Sequence, residues 1–299
     1  MRTEWCGDMY DDRLDLSRNV IHDKHLHQLI VDQLSDVDPH KLTRYPDERH
    51  LHETICGIHA CDHDQLAVGL GGSEILQRII KHLSGSVLHV ISPTFKMVEI
   101  YCDMYNVKIK KLQYHDHNMF DMNKISDVDT LYLANPNGIN GHSFTQEQIE
   151  YISSKCKMLI LDEAYADYDD HQHTYTGVDN LMIVKTFSKS LGFAGARCGY
   201  VITHRNNIQQ LSKYRPAIVT TTLATEIIPG LVQYLPDVIN RMISTRNMLQ
   251  RNYKHVPSAG NYVLIHEKHK RDFVKIKHKQ FGQWMRMALC DMETLNEHQ

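Results

Sequence analysis

Short apolar runs alternate with helix-like stretches through the middle of the chain, and this alternation constrains the fold more than any other feature. Six runs of four to six residues are rich in β-branched and aliphatic side chains, and each ends at Pro, Asn, Asp, Ser or Gly. They lie at 87–91, 107–112, 130–134, 158–161, 181–185 and 198–202. Such runs predict buried strands. Amphipathic stretches at 74–83 and 145–154 predict helices, so we expect an α/β fold with a mainly parallel sheet.

Polar loops follow four of these predicted strands. They are SPTF (92–95), NPNG (135–138), DEAY (162–165) and TFSK (186–189). In open parallel sheets, ligands bind beyond the carboxyl ends of the strands. We therefore expect these four loops to meet at one edge of the sheet.

The pattern changes after residue 203. Residues 205–252 read as helical, with expected breaks at Pro216, Pro229 and Pro236, and strands are expected within 258–265 and 284–289. We predict a large domain at 36–235. Residues 1–35 and 236–299 are predicted to form a smaller domain.

One lysine stands among small polar residues after the fifth predicted strand. Lys189 follows Thr186 and Ser188, and Arg197 lies eight residues beyond it. A lysine that forms a Schiff base needs a cationic neighbourhood, an anchor for its partner and an acid that holds the partner's ring nitrogen protonated. Asp162, at the end of the preceding apolar run, supplies the acid. This set of residue types suits the cofactor pyridoxal 5'-phosphate (PLP).

The residues of this set have distinct predicted roles. Asp162 pairs with the pyridine N–H, so that the ring can accept electrons freed at the substrate Cα. Tyr165 donates to the phenolic oxygen, Ala164 is small enough for a flat ring to lie against it, and Phe95 stacks on the ring. Lys189 binds the aldehyde and later acts as the general base at Cα.

The phosphate of PLP needs donors, and the sequence offers two sources. Thr186, Ser188 and Arg197 provide hydroxyls and a planar guanidinium fork. Gly72 and Ser73 precede the helix predicted at 74–83, where backbone N–H groups and the helix dipole favour an anion. The glycines at 69–72 form neither a dinucleotide-binding nor a P-loop motif.

Composition argues against several other classes of protein. The formal net charge of −3 provides no basic field for nucleic acid. No run approaches the roughly 20 apolar residues that a membrane span needs. The seven cysteines include no Cys-x-x-Cys pair, and residues 1–15 are polar and acidic. We therefore expect no nucleic-acid partner, no membrane span and a reducing cytoplasm.

The 21 histidines raise the question of a metal. The densest cluster, residues 56–63, contains two cysteines and two histidines, but its spacing fits none of the common zinc patterns. The histidine pairs 50/52, 115/117 and 171/173 are predicted as exposed loop residues. We expect no metal site.

Taken together, these stretches resemble the fold-type I PLP-dependent aminotransferases, most closely the histidinol-phosphate aminotransferase group. The matching stretches are RYPD (44–47), GLGGSEIL (69–76), SPTF (92–95), NPNGING (135–141), LDEAYADY (161–168), KTFSKSLGFAGARCGY (185–200) and SAGNYVLI (258–265). The resemblance implies a seven-stranded sheet with helices on both faces, and a smaller α+β domain.

The resemblance also adds residues and a partner. Tyr45 matches a tyrosine that reaches the phosphate of the neighbouring subunit's cofactor, which implies a homodimer with shared active sites. Arg286 matches the arginine that grips the substrate α-carboxylate, and Asn261 is a second predicted substrate-binding residue. Residues 16–19 loosely resemble the family's substrate-covering arm.

The sequence departs from this pattern at two places. The asparagine that usually bonds the phenolic oxygen aligns with Gly138, so Asn137 or Asn140 is the candidate to replace it. A second, phosphate-binding arginine has no clear match, and lysines at 275, 277 and 279 fall nearby.

These features predict an aminotransferase that acts between an amino acid or amino-alcohol phosphate and a 2-oxo acid such as 2-oxoglutarate. Three alternatives remain open at this point. They are a PLP-dependent decarboxylase of amino-acid phosphates, a catalytically silent PLP-binding protein and a histidine-rich metal protein.

Overall fold

A computed structural model describes residues 13–115, 120–126, 128–169 and 178–298. Histidines 117, 171 and 173 lie outside these residues. The strands of the described chain are β1 Leu14–Asp15, β2 Leu66–Leu70, β3 Val87–Ser92, β4 Lys108–Gln113, β5 Val128–Ala134, β6 Cys156–Asp162, β7 Leu181–Thr186, β8 Cys198–Thr203, β9 His255–Val256, β10 Tyr262–His266, β11 Ile276–Lys277, β12 Lys279–Phe281 and β13 Trp284–Ala288.

Helices connect most of these strands. The α-helices are α1 Lys24–Ser35, α2 Arg49–His59, α3 Gly72–His82, α4 Lys96–Met104, α5 Gln146–Ser154, α6 Phe187–Ser190, α7 Arg205–Ser212, α8 Thr222–Leu231, α9 Leu235–Asn252 and α10 Met292–His298. Short 3₁₀ helices are found at Pro39–Thr43, His63–Gln65, Met122–Lys124, Ala166–Tyr168, Ala194–Ala196, Val232–Tyr234 and Glu267–Phe273.

The main sheet has seven strands in the order β2-β8-β7-β6-β5-β3-β4. The five strands from β7 to β4 are parallel neighbours, whereas β8 runs antiparallel to both β7 and β2. All six predicted strands belong to this sheet, with ends that differ by two residues at most. The predicted mainly parallel α/β fold is confirmed.

Helices cover both faces of the main sheet, so its strands are buried on both sides. On one face, Ile75 and Ile79 of α3 pack with α4, α7 and residues such as Val90 of β3. On the other, Ile149 and Ile152 of α5 join a second hydrophobic cluster. Burial on two faces explains why these strands read as continuous apolar runs rather than as alternating patterns.

The N-terminal ends of helices α5 and α3 are fixed by local interactions. The predicted cap of α5 is present, because Gln148 N–H donates to Thr145 Oγ1 at 3.3 Å and Thr145 N–H donates to Gln148 Oε1 at 2.9 Å. Helix α3 begins at Gly72, two residues earlier than predicted. Its N-cap, Gly71, has φ 82°, a left-handed conformation that favours glycine. A side chain at Gly199 would strike the backbone of this turn, so α3 packs tightly against β8.

The predicted break at Pro229 is wrong. Pro229 lies inside α8, near its C-terminal end. A proline there removes one N–H donor at a cost of about 3 kcal/mol in a helix interior. The buried side chains of Ala224, Ile227, Ile228 and Leu231 hold the helix against the core and offset this cost.

A second, antiparallel sheet has the order β12-β13-β10-β9, and β1 pairs with β11 beside it. The main sheet thus uses strands within 66–203, and the second sheet uses strands within 255–288. One hydrophobic cluster joins Leu16 and Ile21 of the N-terminal segment to Val263 and Met285 of the second sheet. The same cluster also contains Leu51 and Tyr200 of the predicted large domain, so the division into a large domain at 36–235 and a small one from residues 1–35 and 236–299 stays a prediction.

His50 and His52 lie in α2, so the prediction that this pair is in a loop is wrong.

None of the helices in the described part of the chain combines the length and apolar character that a bilayer span requires.

Candidate active site

The polar loops meet at one edge of the main sheet, as their sequence positions predicted. Strands β5, β6 and β7 are parallel neighbours, and Asp162 lies opposite Ala134 on one side and Val184 on the other. The loops that begin at Asn135, Asp162 and Thr186 therefore leave the sheet side by side.

Asp162 is a buried carboxylate at the centre of this edge. Its Oδ2 accepts a hydrogen bond of 2.6 Å from the hydroxyl of Tyr132, and its Oδ1 accepts one of 3.1 Å from Ala164 N–H. Burial raises the pKa of this carboxyl above its ordinary value, against the opposing effect of the two hydrogen bonds. Sequence reasoning missed Tyr132, because nothing in an apolar strand marks one tyrosine as a partner of a residue 30 positions away.

The Lys189 amine faces the ring of Tyr165, with 6.0 Å between Nζ and the ring centre. Two residues of the N-terminal segment close around this pair. Lys189 Nζ donates to the carbonyl oxygen of Arg18 at 3.3 Å, and Asn19 Nδ2 donates to the Tyr165 hydroxyl at 3.3 Å. Residues 16–19 thus lie where the resemblance implied a covering arm.

The neighbouring Lys185 has a different environment. Its amine is buried, with Glu163 Oε2 and Asp167 Oδ1 both at 3.3 Å. A lysine held between two carboxylates stays protonated and cannot act as a nucleophile. Of the two lysines in this segment, Lys189 is therefore the one that is available to a ligand.

Hydroxyl, guanidinium and backbone donors surround the start of α3. Thr186 Oγ1 accepts from Ser188 N–H at 3.2 Å and donates to Cys198 O at 2.8 Å. Arg197, held in a left-handed conformation with φ 54°, donates to Leu70 O at 3.1 Å. A Cβ on Gly71 would strike the Arg197 guanidinium. The structure therefore brings together Thr186, Ser188, Arg197 and the N-terminus of α3, where Gly72 and Ser73 stand.

Gly138 lies directly against Tyr165. A Cβ at this glycine would be 2.8 Å from Tyr165 Cε2, closer than ordinary van der Waals contact. The tyrosine ring thus covers the Cα at which the resemblance expects an asparagine. Asn137 is fully buried, with Nδ2 donating to Pro93 O at 2.8 Å and Oδ1 accepting from Ile139 N–H at 2.9 Å.

Arg286 of β13 reaches the same edge from the second sheet. Its Nη1 donates to Gly138 O at 2.8 Å, and its Cζ lies 5.6 Å from the centre of the Tyr262 ring. Burial lowers the pKa of its guanidinium from the ordinary value. Its Nε is buried and has no hydrogen-bond partner among the described residues. Asn261 is also buried, and its Nδ2 donates to Asn19 O at 3.0 Å.

Two predicted site residues are more exposed. Phe95 stands at the start of α4 and is 40% exposed, which rules out a purely core role for its ring. Tyr45 is 83% exposed, and its ring lies on the surface. Ala164 is half-buried directly after Asp162.

Residues 11–272 match the protein family described as aminotransferase class I and II. The chain belongs to this family. Membership confirms the predicted fold type, and it confirms that the chain is a PLP-dependent transaminase.

Individual relatives agree with this result. The chain is 25% identical over 252 residues to a histidinol-phosphate aminotransferase of Pyrococcus furiosus, an alignment that covers 80% of this chain and 74% of the relative. Its fold is similar to that of histidinol-phosphate aminotransferase from Sinorhizobium meliloti in complex with PLP, with a TM-score of 0.78, 18% identity and coverage of 95% and 88%. It is also similar to L-threonine-O-3-phosphate decarboxylase from Porphyromonas gingivalis, with a TM-score of 0.76, 17% identity and coverage of 95% and 96%. At these identities the two structural likenesses show the fold alone.

The residues present at the sheet edge fit PLP. The buried Asp162 carboxylate suits a protonated pyridine nitrogen, and the Lys189 amine suits an aldehyde. Arg197 and Ser188, beside the α3 N-terminus, suit a phosphate. We call this group of donors the phosphate cradle. Because Gly71 has no Cβ, the Arg197 guanidinium has room to lie within it.

Proposed function

We propose that this transaminase moves an amino group between an amino acid or amino-alcohol phosphate, such as histidinol phosphate, and a 2-oxo acid such as 2-oxoglutarate. Asp162, Tyr165 and Lys189 are the proposed catalytic residues. The residues proposed to hold PLP are Tyr45, Gly72, Ser73, Phe95, Asn137, Asp162, Ala164, Tyr165, Thr186, Ser188, Lys189 and Arg197. Arg286 and Asn261 are proposed to bind substrate.

PLP, when bound, supplies an electron sink for the bond that breaks at the substrate Cα. Asp162 would pair its negative charge with the ring nitrogen and so keep that nitrogen protonated. Lys189 Nζ would remove the proton from the substrate Cα as a general base and hold it as an ammonium. The Arg18 carbonyl and the Asn19 amide contact Lys189 and Tyr165 beside this space.

The observation that carries the proposal is the buried Arg286 guanidinium, whose Nε has no hydrogen-bond partner among the described residues. A buried guanidinium whose Nε lacks a partner among the described residues is costly unless a ligand anion completes it. A substrate carboxylate can do so, because it accepts two parallel hydrogen bonds from a guanidinium.

Lys279 supports an amino donor with a second anionic group. It pairs directly with Arg286 between β12 and β13, and such pairs lie on one face of a sheet. The Lys279 amine is 5.7 Å from the centre of the Phe281 ring, and Arg286 Cζ is 5.0 Å from the same ring. Two cations beside one aromatic ring suit a substrate with a phosphate, for which lysine acts as a point charge.

The proposal includes a homodimer in which Tyr45 reaches the phosphate of the partner's cofactor. Its exposed ring supports this, since a large aromatic side chain that is 83% exposed is available for a partner. The cytoplasmic location predicted from the sequence stays a prediction.

The test is a donor screen with the PLP-loaded protein. Histidinol phosphate, glutamate, aromatic amino acids and phosphothreonine are added singly, and loss of the cofactor's visible absorbance is followed. Transamination consumes that absorbance and leaves a keto product, whereas decarboxylation releases CO2 and restores it. Release of CO2 without a keto product would contradict the proposal, and so would a spectrum that no donor changes.

Variants of two lysines sharpen this test. Lys279→Ala should raise KM for histidinol phosphate about tenfold or more, because a charged contact contributes about 1.5–3 kcal/mol. KM for glutamate should change little. Lys275→Ala is the matched control, since Lys275 is an exposed lysine just before β11. Equal effects of the two variants would refute the role of Lys279.

A further inference from the structure

A cluster of cysteine and histidine side chains lies at the end of α2, apart from the residues proposed for the active site. His52 and Cys56 are one helical turn apart on α2, and His63 opens the 3₁₀ helix that follows. His52 Nδ1 is 3.1 Å from His63 Nδ1 and 3.7 Å from Cys56 Sγ. One possible metal-binding atom from each of the three side chains lies within 4.8 Å of the other two. Sequence reasoning considered residues 56–63 alone and so missed His52.

These distances match the edges of a zinc tetrahedron. Zn–N bonds of about 2.0–2.1 Å and Zn–S bonds of about 2.3 Å place two nitrogens about 3.3 Å apart, and a nitrogen and a sulfur about 3.6 Å apart. The observed separations of 3.1 Å and 3.7 Å are close to these values. Hydrogen bonding explains the contacts less well, because His52 Nδ1 has a single bonding direction and two partners. A single metal ion in line with the lone pair of His52 Nδ1 would instead be bound by all three side chains.

The other nitrogen of His52 is oriented as in known metal sites. His52 Nε2 lies 3.4 Å from the carbonyl oxygen of Leu66, at the start of β2. An N–H at Nε2 that donates to this carbonyl leaves the Nδ1 lone pair free to bind a metal, an arrangement typical of metal-binding histidines. The rings of His52 and His63 stack, with centres 5.0 Å apart and planes 12° apart.

Cys61 is near this cluster but is not part of it. Ala60, the C-cap of α2, has a left-handed conformation with φ 48°, and Cys61 N–H donates to Cys56 O at 3.2 Å. The mutually close ligand atoms belong to His52, Cys56 and His63. Two histidines and one cysteine leave the fourth position of a tetrahedral zinc ion for a water molecule.

We propose that His52, Cys56 and His63 form a zinc site whose fourth ligand is a water molecule. Binding would release the proton of the Cys56 thiol to solvent and form one Zn–S bond, with no change of oxidation state. The ion would clamp α2 to the 3₁₀ helix that leads into β2. Strand β2 leads to Gly71 and the N-terminus of α3, so the clamp would stabilise the segment that carries the proposed phosphate cradle.

The test uses the full-length chain without an affinity tag, loaded with PLP and kept reduced. After incubation with excess Zn²⁺ and dialysis, metal analysis should give one zinc per chain. Titration with Co²⁺ should produce the visible bands of a tetrahedral site and a sulfur-to-cobalt charge-transfer band. Zinc at 100 times its Kd should raise Tm by about 4 °C relative to chelator-treated protein.

Three variants make the result specific. Cys56→Ser and His63→Ala should lose the bound zinc, the cobalt bands and the Tm shift, while the cofactor absorbance persists. His50→Ala is the matched control, because His50 is an exposed histidine on the same helix that does not share the face of His52. It should bind zinc as the wild type does. Less than about 0.1 zinc per wild-type chain, or unchanged binding by His63→Ala, would overturn the proposal.

Discussion

Replacing Asp162 with asparagine should separate catalysis from folding. The carboxylate now accepts from Tyr132 and from Ala164 N–H. In Asp162→Asn the Oδ1 atom can keep the bond from Ala164, and the Tyr132 hydroxyl can rotate to accept from the new amide N–H. The variant should therefore fold and bind PLP. In the variant, the pyridine nitrogen of PLP loses its buried charge partner, at a cost of about 3–5 kcal/mol. Since each ~1.4 kcal/mol is a factor of ten, proton removal at Cα should slow by about 150- to 5000-fold.

Rapid mixing of the PLP-loaded protein with glutamate or histidinol phosphate measures this rate in a single turnover. Glu163→Gln is the matched control, because it makes the same chemical change one residue away, at a buried carboxylate that pairs with Lys185. It should lower the denaturation midpoint but leave the single-turnover rate within about threefold, because Glu163 faces Lys185 rather than the cofactor. A near-normal rate in Asp162→Asn, or equal slowing in both variants, would rule out this role of Asp162.

Three further predictions concern other parts of the structure. Arg286→Ala should raise KM for glutamate about 30- to 150-fold, because the buried contact between the guanidinium and the substrate carboxylate contributes about 2–3 kcal/mol. Steady-state kinetics measure this KM, and an unchanged value would contradict the prediction. Gly138→Ala should push the Tyr165 ring aside by up to about 1 Å and slow turnover by up to about 100-fold, and wild-type turnover would count against the packing described. Burial and the nearby Lys185 lower the pKa of His59 from 6.5 to about 4, so folding stability is lost as pH falls from 6.5 towards 4. Denaturant titrations should show that lowering pH from 7 to 5 costs the wild type about 2 kcal/mol more than His59→Gln, and equal losses would refute the assignment.

Much of the fold could be predicted because its signals are local. Strands such as β6 are buried on both faces and therefore read as apolar runs, and the Asp and Thr residues that end β6 and β7 mark the active edge. The start of α5 was also readable, since a capping box is a short-range pattern. At Pro229 the local rule failed, because burial of the surrounding helix outweighs the propensity of one residue.

Contacts between distant segments could not be predicted. The Tyr132–Asp162 bond, the closure of Arg18 and Asn19 over Lys189, and the approach of His63 to His52 depend on how the chain folds back. Sequence spacing carries no information on such pairs, and single residues of these types are common elsewhere in the chain. The roles of the site residues therefore stay proposals that the experiments above address.

Lys189, rather than Lys185, is the lysine proposed to hold the cofactor. The two amines lie four residues apart, but only Lys185 is enclosed by carboxylates. Borohydride reduction of the PLP-loaded protein attaches the cofactor permanently to the amine that binds it, and peptide mass spectrometry then locates the added mass. The added mass is expected on Lys189 and should be absent from Lys189→Ala. A label on Lys185 or on any other lysine would contradict it.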